Sequence, residues 1–159
     1  MRQAIPRFFT GSRHVFVLFS EFRQSFETLE SPPSHRMAGK YTAEVPGPWW
    51  YRWTFKPAMA LTALRGWTGK EIFDNRTGIN LVKRRGGIIK VLPMAIKKQA
   101  ARIDGQPARV IVYGEDAPFP WCRATDELRE LEEGRLLGMT IFDLPLVRHI
   151  AFPFILNRK

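Results

Sequence analysis

The chain has little of what most catalytic and metal sites are built from. Cys122 is its only cysteine, so no disulfide can form within it and nothing points to an oxidising compartment. A cytoplasmic location is therefore the expectation. The three histidines, His14, His35 and His149, lie far apart and not at metal-ligand spacing, so no metal site is expected. Gly-x-Ser-x-Gly, the phosphate-binding loop and Gly-x-Gly-x-x-Gly are all absent. Lys83-Arg84-Arg85-Gly86-Gly87 lacks the terminal Lys-Ser/Thr of a phosphate loop and reads as a basic hairpin turn. No apolar run approaches the roughly 20 residues of a membrane-spanning helix. Val15 to Phe19 is too short for a signal-peptide core and no small-residue cleavage site follows, so a secretory leader is not expected. No cofactor and no reaction are assigned from the sequence.

What the chain does have is positive charge in one place and tryptophan in another. The net charge of +10 is concentrated in residues 37–109, which carry fourteen basic and four acidic side chains. Such a segment favours anionic partners: lipid headgroups, nucleic acid, or small carboxylates and phosphates. Four of the five tryptophans lie between residues 49 and 67, in Trp49-Trp50-Tyr51-Arg52-Trp53 and Gly66-Trp67-Thr68-Gly69-Lys70. Trp is bulky and its indole N–H needs a partner when buried. A cluster this dense marks an aromatic core or the wall of a site for a flat or apolar ligand.

Residues 1–13, with Arg2, Arg7 and Arg13, read as a flexible basic arm ahead of one domain spanning 14–159. Val15, Leu18, Phe19, Phe22, Phe26 and Leu29 fall at spacings of three and four, which predicts an amphipathic helix from His14 to Leu29 capped by Ser12 and stopped at Pro32-Pro33. Beyond Gly39 the pattern is mostly extended. Strands are expected at Lys40–Val45, Trp50–Phe55, Gly69–Phe73, Ile79–Lys83, Ile88–Leu92, Ile96–Ile103, Ala108–Tyr113, Trp121–Leu131, Arg135–Phe142 and His149–Asn157. Ala58 to Leu64 reads as one or two helical turns after Pro57, and Ala95–Ala101 and Asp126–Glu133 admit a helical alternative. Eight to ten short strands punctuated by Gly-rich turns indicate an antiparallel meander. Closing it into an up-and-down β-barrel removes the exposed edges. The expected fold is therefore mainly β, a barrel with an N-terminal helix that caps a mouth or packs outside.

The order of Gly39-Lys40-Tyr41-Thr42-Ala43 and Leu64-Arg65-Gly66-Trp67-Thr68-Gly69-Lys70 resembles small bacterial and fungal proteins named for a Gly-x-Trp-x-Gly motif. There a Gly-Trp-x-Gly-Lys segment and a short Asn-Pro-Leu-like stretch follow, and Ile79-Asn80-Leu81-Val82 stands in that place. Their companion C-terminal domain of unknown function is similar to Ala108–Tyr113, Ala117-Pro118-Phe119-Pro120, Arg135-Leu136-Leu137-Gly138 and Phe152 to Arg158. Tyr41 stands where the first motif has tryptophan, and Ala43 where it has its second glycine. The resemblance implies a calycin or lipocalin-like barrel, with a Gly-x-Trp strand closing the floor beneath a cavity for a hydrophobic ligand.

On these readings the expected partner is a small hydrophobic or amphipathic ligand. Trp50, Trp53, Trp67 and Phe73 would form wall or floor, Arg52 or Lys70 would hold an anionic head, and Tyr113 and His149 are further lining candidates. Two other classes compete. An isomerase or cyclase on the same barrel would draw a base from Asp116, Asp126, Asp143 or His149, with Tyr113 or His149 as acid. A binder of anionic surfaces would use the basic residues and interleaved aromatics on nucleic acid, the less favoured partner, or on peripheral lipid headgroups.

Overall fold

The computed structural model describes residues 15–159; the basic arm expected at 1–13, His14 and the Ser12 cap lie outside the described residues. The elements run α1 (Val15–Thr28), β1 (Gly39–Glu44), α2 (Trp49–Ala60), β2 (Trp67–Ile72), β3 (Thr77–Arg84), β4 (Gly87–Ala100), β5 (Pro107–Val112), β6 (Ala124–Glu132), β7 (Arg135–Phe142) and β8 (Ala151–Arg158). Each strand pairs antiparallel with the next, and β8 returns to β1 through Thr42–Asn157 and Ala43–Leu156, closing an eight-stranded barrel. This is the up-and-down barrel that the spacing of the turns predicts.

Three local expectations differ. Trp50–Phe55 belongs to helix α2, not to a strand. Aromatic residues favour strands in general, but Tyr51, Phe55 and Met59 recur every four residues, and this period places them on one helical face toward the barrel. Ile88–Leu92 and most of Ile96–Ile103 are parts of one strand, β4, which ends at Ala100; around Asp126–Glu133 the strand expectation holds and the helical alternative does not. The final strand begins at Ala151, leaving His149 on the preceding loop.

Two bulges set which side chains point inward. A strand alternates faces with period two, so Trp67 and Lys70 would face opposite ways in a regular β2. The register shift between Trp67 and Gly69 inserts Thr68 as an extra residue and brings both inside. On β4 the shift opposite Ile79 and Asn80 leaves Leu92 as the extra residue, at φ 52°. Its carbonyl accepts a 3.0 Å hydrogen bond from Asn80 Nδ2.

The half of the barrel away from α2 is filled, by Tyr41, Ile72, Met94, Ile96, Leu128 and Leu136 among others. A second apolar layer lies outside: Phe22 and Phe26 of α1 pack on Val110, Leu137, Met139 and Ile155. Full burial of a side chain the size of Phe26 contributes roughly 1.5–3 kcal/mol. The buried Arg129 anchors the same helix. Its guanidinium donates to the Phe26 carbonyl at 2.8 Å, lies 4.4 Å from the Phe26 ring centroid, and pairs with both Asp104 oxygens at 2.6 and 2.7 Å.

Candidate functional site: a lidded barrel cavity with a buried ionic cluster

Where α2 crosses the barrel end, the side chains do not meet, and a cavity of about 230 Å3 remains. Phe55, Ala58 and Met59 of α2 form its lid side. Trp67, Trp121, Phe142, Phe152 and Phe154 form the aromatic wall. Tyr51 holds the lid in place: its ring packs edge-on to Phe19 at 5.4 Å, and its hydroxyl donates to the Pro153 carbonyl at 3.0 Å. Burial raises the Tyr51 phenol above its ordinary range. Gly138 makes room for the wall. A Cβ there would lie 2.1 Å from the Phe154 ring, so only glycine lets that ring lie flat against β7.

Strands β2, β3, β6 and β7 and the residue after β5 contribute polar groups to the deep part of this apolar space. Lys70 from β2 is 1% exposed and Asp126 from β6 is 2% exposed, and they form an ion pair at 3.0 Å. The Lys70 ammonium also donates to Asn80 Oδ1 at 2.9 Å and to the Tyr113 hydroxyl at 2.7 Å. Tyr113 in turn donates to Asp126 Oδ2, while Thr140 Oγ1 donates to Asp126 Oδ1 at 2.7 Å. Asn80 Oδ1 accepts a second hydrogen bond, from the Trp67 indole at 3.1 Å. The rings of Trp67 and Tyr113 lie 5.4 and 5.2 Å from Lys70 Nζ, where their faces favour a cation. A buried charge needs a partner and satisfied hydrogen bonds, and here all three ammonium hydrogens have acceptors.

Burial pulls the Lys70 ammonium below its ordinary value and the adjacent Asp126 carboxylate opposes the shift; the net direction is down. Burial, reinforced by Asp126, raises the Tyr113 phenol well above its ordinary range. Tyr113 therefore stays protonated as a donor to Asp126. One lining group contrasts with this saturation: the buried Trp121 indole N–H has no acceptor among the described residues. No group of three or more His, Cys, Asp or Glu side chains among the described residues is placed to hold a metal ion.

Of the residues singled out from the sequence, Trp67, Lys70 and Tyr113 line the cavity together. Trp50 is half-buried against the outer apolar layer. Trp53 is 77% exposed on the outer face of α2. Arg52 lies on an adjoining basic groove with Lys56, Arg65, Arg84 and Arg85, which shares Phe55, Met59 and Trp67 with the cavity. Phe73 follows the end of β2 and faces outward beneath Lys90, 5.3 Å from its ring centroid. His149 is exposed on the loop before β8, beside Arg23 and Arg102 on the outside of the barrel. Asp116 and Asp143 are exposed on loops, whereas Asp126 is in the cavity. Asn80, Thr140 and Trp121 were not singled out. Their roles follow from strand register and loop placement, which no local spacing reveals.

No family model matches the chain, and no curated protein matches its sequence. A solved structure does. The crystal structure of a protein from Thermomonospora curvata superposes with a TM-score of 0.64 at 15% identity, covering 92% of this chain and 97% of that one. At that identity the likeness shows the fold alone. The described residues contain no helix long and apolar enough to cross a membrane.

Proposed function

We propose that this protein binds a small, predominantly apolar ligand in the cavity beneath α2. The observation that carries this reading is the cavity itself: about 230 Å3 walled by aromatic and aliphatic side chains inside a closed barrel. Ligand sites are typically concave, mostly apolar and fixed by a few placed polar groups. The volume lies below the roughly 300–1,000 Å3 of drug-sized pockets, so the enclosed part of the ligand is small.

The polar groups narrow the chemistry. Lys70 has no hydrogen left to offer an anionic head, and its charge is balanced by Asp126. The ligand's enclosed part is therefore neutral. Its one polar atom is an acceptor, a carbonyl, ether or hydroxyl oxygen, that the buried Trp121 indole N–H turns to meet. An anionic end, if the ligand carries one, lies outside, toward Arg52 and the basic groove. A cytoplasmic location and kinship with the Gly-x-Trp-x-Gly proteins belong to the same proposal. The two motif segments support that kinship by pairing directly, Tyr41 with Lys70 and Thr42 with Gly69.

Tryptophan quenching against a series of medium-chain alcohols, ketones and alkanes tests the reading. Saturable quenching by the oxygenated members is expected, and Met59→Trp, which fills the cavity, should abolish it. Trp121→Phe should weaken the ketones several-fold to tenfold, the range of one net hydrogen bond, and leave the alkanes unchanged. A protein that quenches with none of these refutes the proposal.

A second reading draws on the Tyr113–Asp126 hydrogen bond inside an apolar cavity. That pairing is the arrangement in which a carboxylate and a phenol pass a proton to and from a bound molecule. Incorporation of solvent deuterium into the bound ketone, lost in Asp126→Asn, is its expected mark. A ketone recovered without deuterium restricts the site to binding.

A further inference from the structure

In an up-and-down barrel, successive connections alternate between the two ends, so the α2 connection, the β3–β4 hairpin and the β5–β6 and β7–β8 loops share one end. Among the described residues eight large apolar side chains are exposed, and seven of them lie at this end. Trp49 and Trp53 of α2 are 73% and 77% exposed, and Leu61 just beyond it is 91% exposed. Ile88 and Ile89 follow the hairpin turn, and Phe119 and Leu146 are on the two loops. Only Phe73 is at the other end. Charge divides the same way. Residues 45–66, 83–89, 113–123 and 143–150 hold eight Lys and Arg against three Asp and Glu, while the opposite turns 73–76, 101–106 and 133–134 hold two against three.

On α2 the two features share a face. Tyr51, Phe55 and Met59 point to the barrel. Trp49, Trp53, Lys56 and Ala60, at spacings of four, three and four, lie on the opposite side, with Arg52 on its flank. Exposed apolar groups gathered in one place mark an interaction surface, since soluble monomers scatter them. Tryptophan beside Lys and Arg suits one surface in particular. The indole sits at headgroup level, the aliphatic side chains enter the acyl boundary, and the cations meet lipid phosphates. Single-stranded nucleic acid would reward aromatic rings for stacking but gain little from Leu61, Ile88 or Leu146.

We propose that the lid end of the barrel docks on the surface of an anionic phospholipid bilayer, with Trp49, Trp53 and Leu61 entering the headgroup region and Arg52, Lys56 and Arg85 against the phosphates. The cavity then lies directly behind the docked helix α2, and the apolar ligand passes around this lid between membrane and barrel without crossing water. This last step rests on the ligand-binding reading; docking itself does not.

Flotation with vesicles of phosphatidylcholine alone, and of phosphatidylcholine with phosphatidylglycerol, tests the proposal without any added ligand. The full-length protein is expected to float with the anionic vesicles only, with a blue shift of its tryptophan emission that brominated lipids quench. Lys56→Glu with Arg85→Glu should weaken binding at least tenfold, from the roughly fivefold that each basic residue contributes near an anionic surface. Trp49→Ser, Trp53→Ser and Leu61→Ser combined should remove the blue shift and the part of the binding that survives about 0.5 M salt, where surface charge is largely screened. All five of these residues are exposed at the surface, and unchanged thermal unfolding shows that the variants fold. Met59→Trp should keep full vesicle affinity while losing the ligand, which separates the two proposals. Absence of binding to anionic vesicles, binding indifferent to the serine substitutions, or tighter binding of single-stranded DNA through the same residues would overturn it.

Discussion

Lys70 occupies a position where a cation has to be compensated within the protein, since it is 1% exposed and set among aromatic rings, with Trp67 and Tyr113 at 5.4 and 5.2 Å. Removing one member of a buried pair strands the other, at a cost of about 3–5 kcal/mol, whereas replacing both with apolar groups of similar volume is often neutral or stabilising. Lys70→Met and Asp126→Leu should each destabilise by that amount in urea unfolding, and the double variant should be markedly more stable than either. Additive losses would show that the pair is not coupled. The tyrosines give a pH test. Tyr113 and Tyr51 hold their protons above the ordinary value of 10.0 when folded, so the unfolded chain releases protons that the folded protein keeps. Stability should be fully present below about pH 10 and fall as the pH rises beyond it. Lys70 acts in the opposite sense, because its ammonium in the unfolded chain stays protonated up to 10.5 and the folded protein releases that proton earlier. Above that value only the tyrosine contribution remains. Phenolate absorbance should therefore show Tyr51 and Tyr113 titrating together with unfolding, while titration of either ahead of unfolding would contradict the burial of this pair.

At the scale of elements, the barrel wall is held open by glycine and closed by α2. Gly138→Ala would place a methyl group against the ring of Phe154, a residue of the cavity wall. A loss of about 1–3 kcal/mol from overpacking is expected, with ligand binding weakened more than stability. Gly69→Ala should be worse for folding, because the added Cβ would lie 1.9 Å from the Tyr41 carbonyl oxygen, a backbone atom of the paired strand β1. Urea midpoints and quenching titrations on the two variants check the order. The strands themselves were legible from turns such as Asp104-Gly105-Gln106 and Glu132-Glu133-Gly134. The lid was not, because Trp50 to Phe55 is rich in residues that favour strands, and its helix is stabilised by burying Tyr51 and Phe55 against the barrel. Inward and outward faces were also hidden. The bulges at Thr68 and Leu92 break the period-two pattern at the positions that bring Trp67 beside Lys70 and Leu92 O to Asn80.

For the molecule as a whole, the excess charge in residues 37–109 has a spatial meaning that a linear count does not show: Arg52, Lys56, Arg65, Lys83, Arg84 and Arg85 gather with exposed apolar groups around the lid end. The tryptophan cluster likewise divides in three dimensions. Trp67 joins the cavity wall, Trp50 packs on the outer layer, and Trp49 and Trp53 remain exposed on the lid. The polar cluster was partly legible, since Lys70, Tyr113 and Asp126 were candidates. Their convergence was not, because it requires β2, the end of β5 and β6 to meet across one closed barrel. Indole N–H resonances report on each tryptophan separately, so they test the cavity directly. In a titration with a medium-chain ketone, followed by nitrogen–proton correlation spectra, the Trp121 and Trp67 indole signals should shift and saturate together, while those of Trp49 and Trp53 stay in place. Shifts confined to Trp49 and Trp53, or no saturable shift at any of the five, would contradict a ligand site inside the barrel.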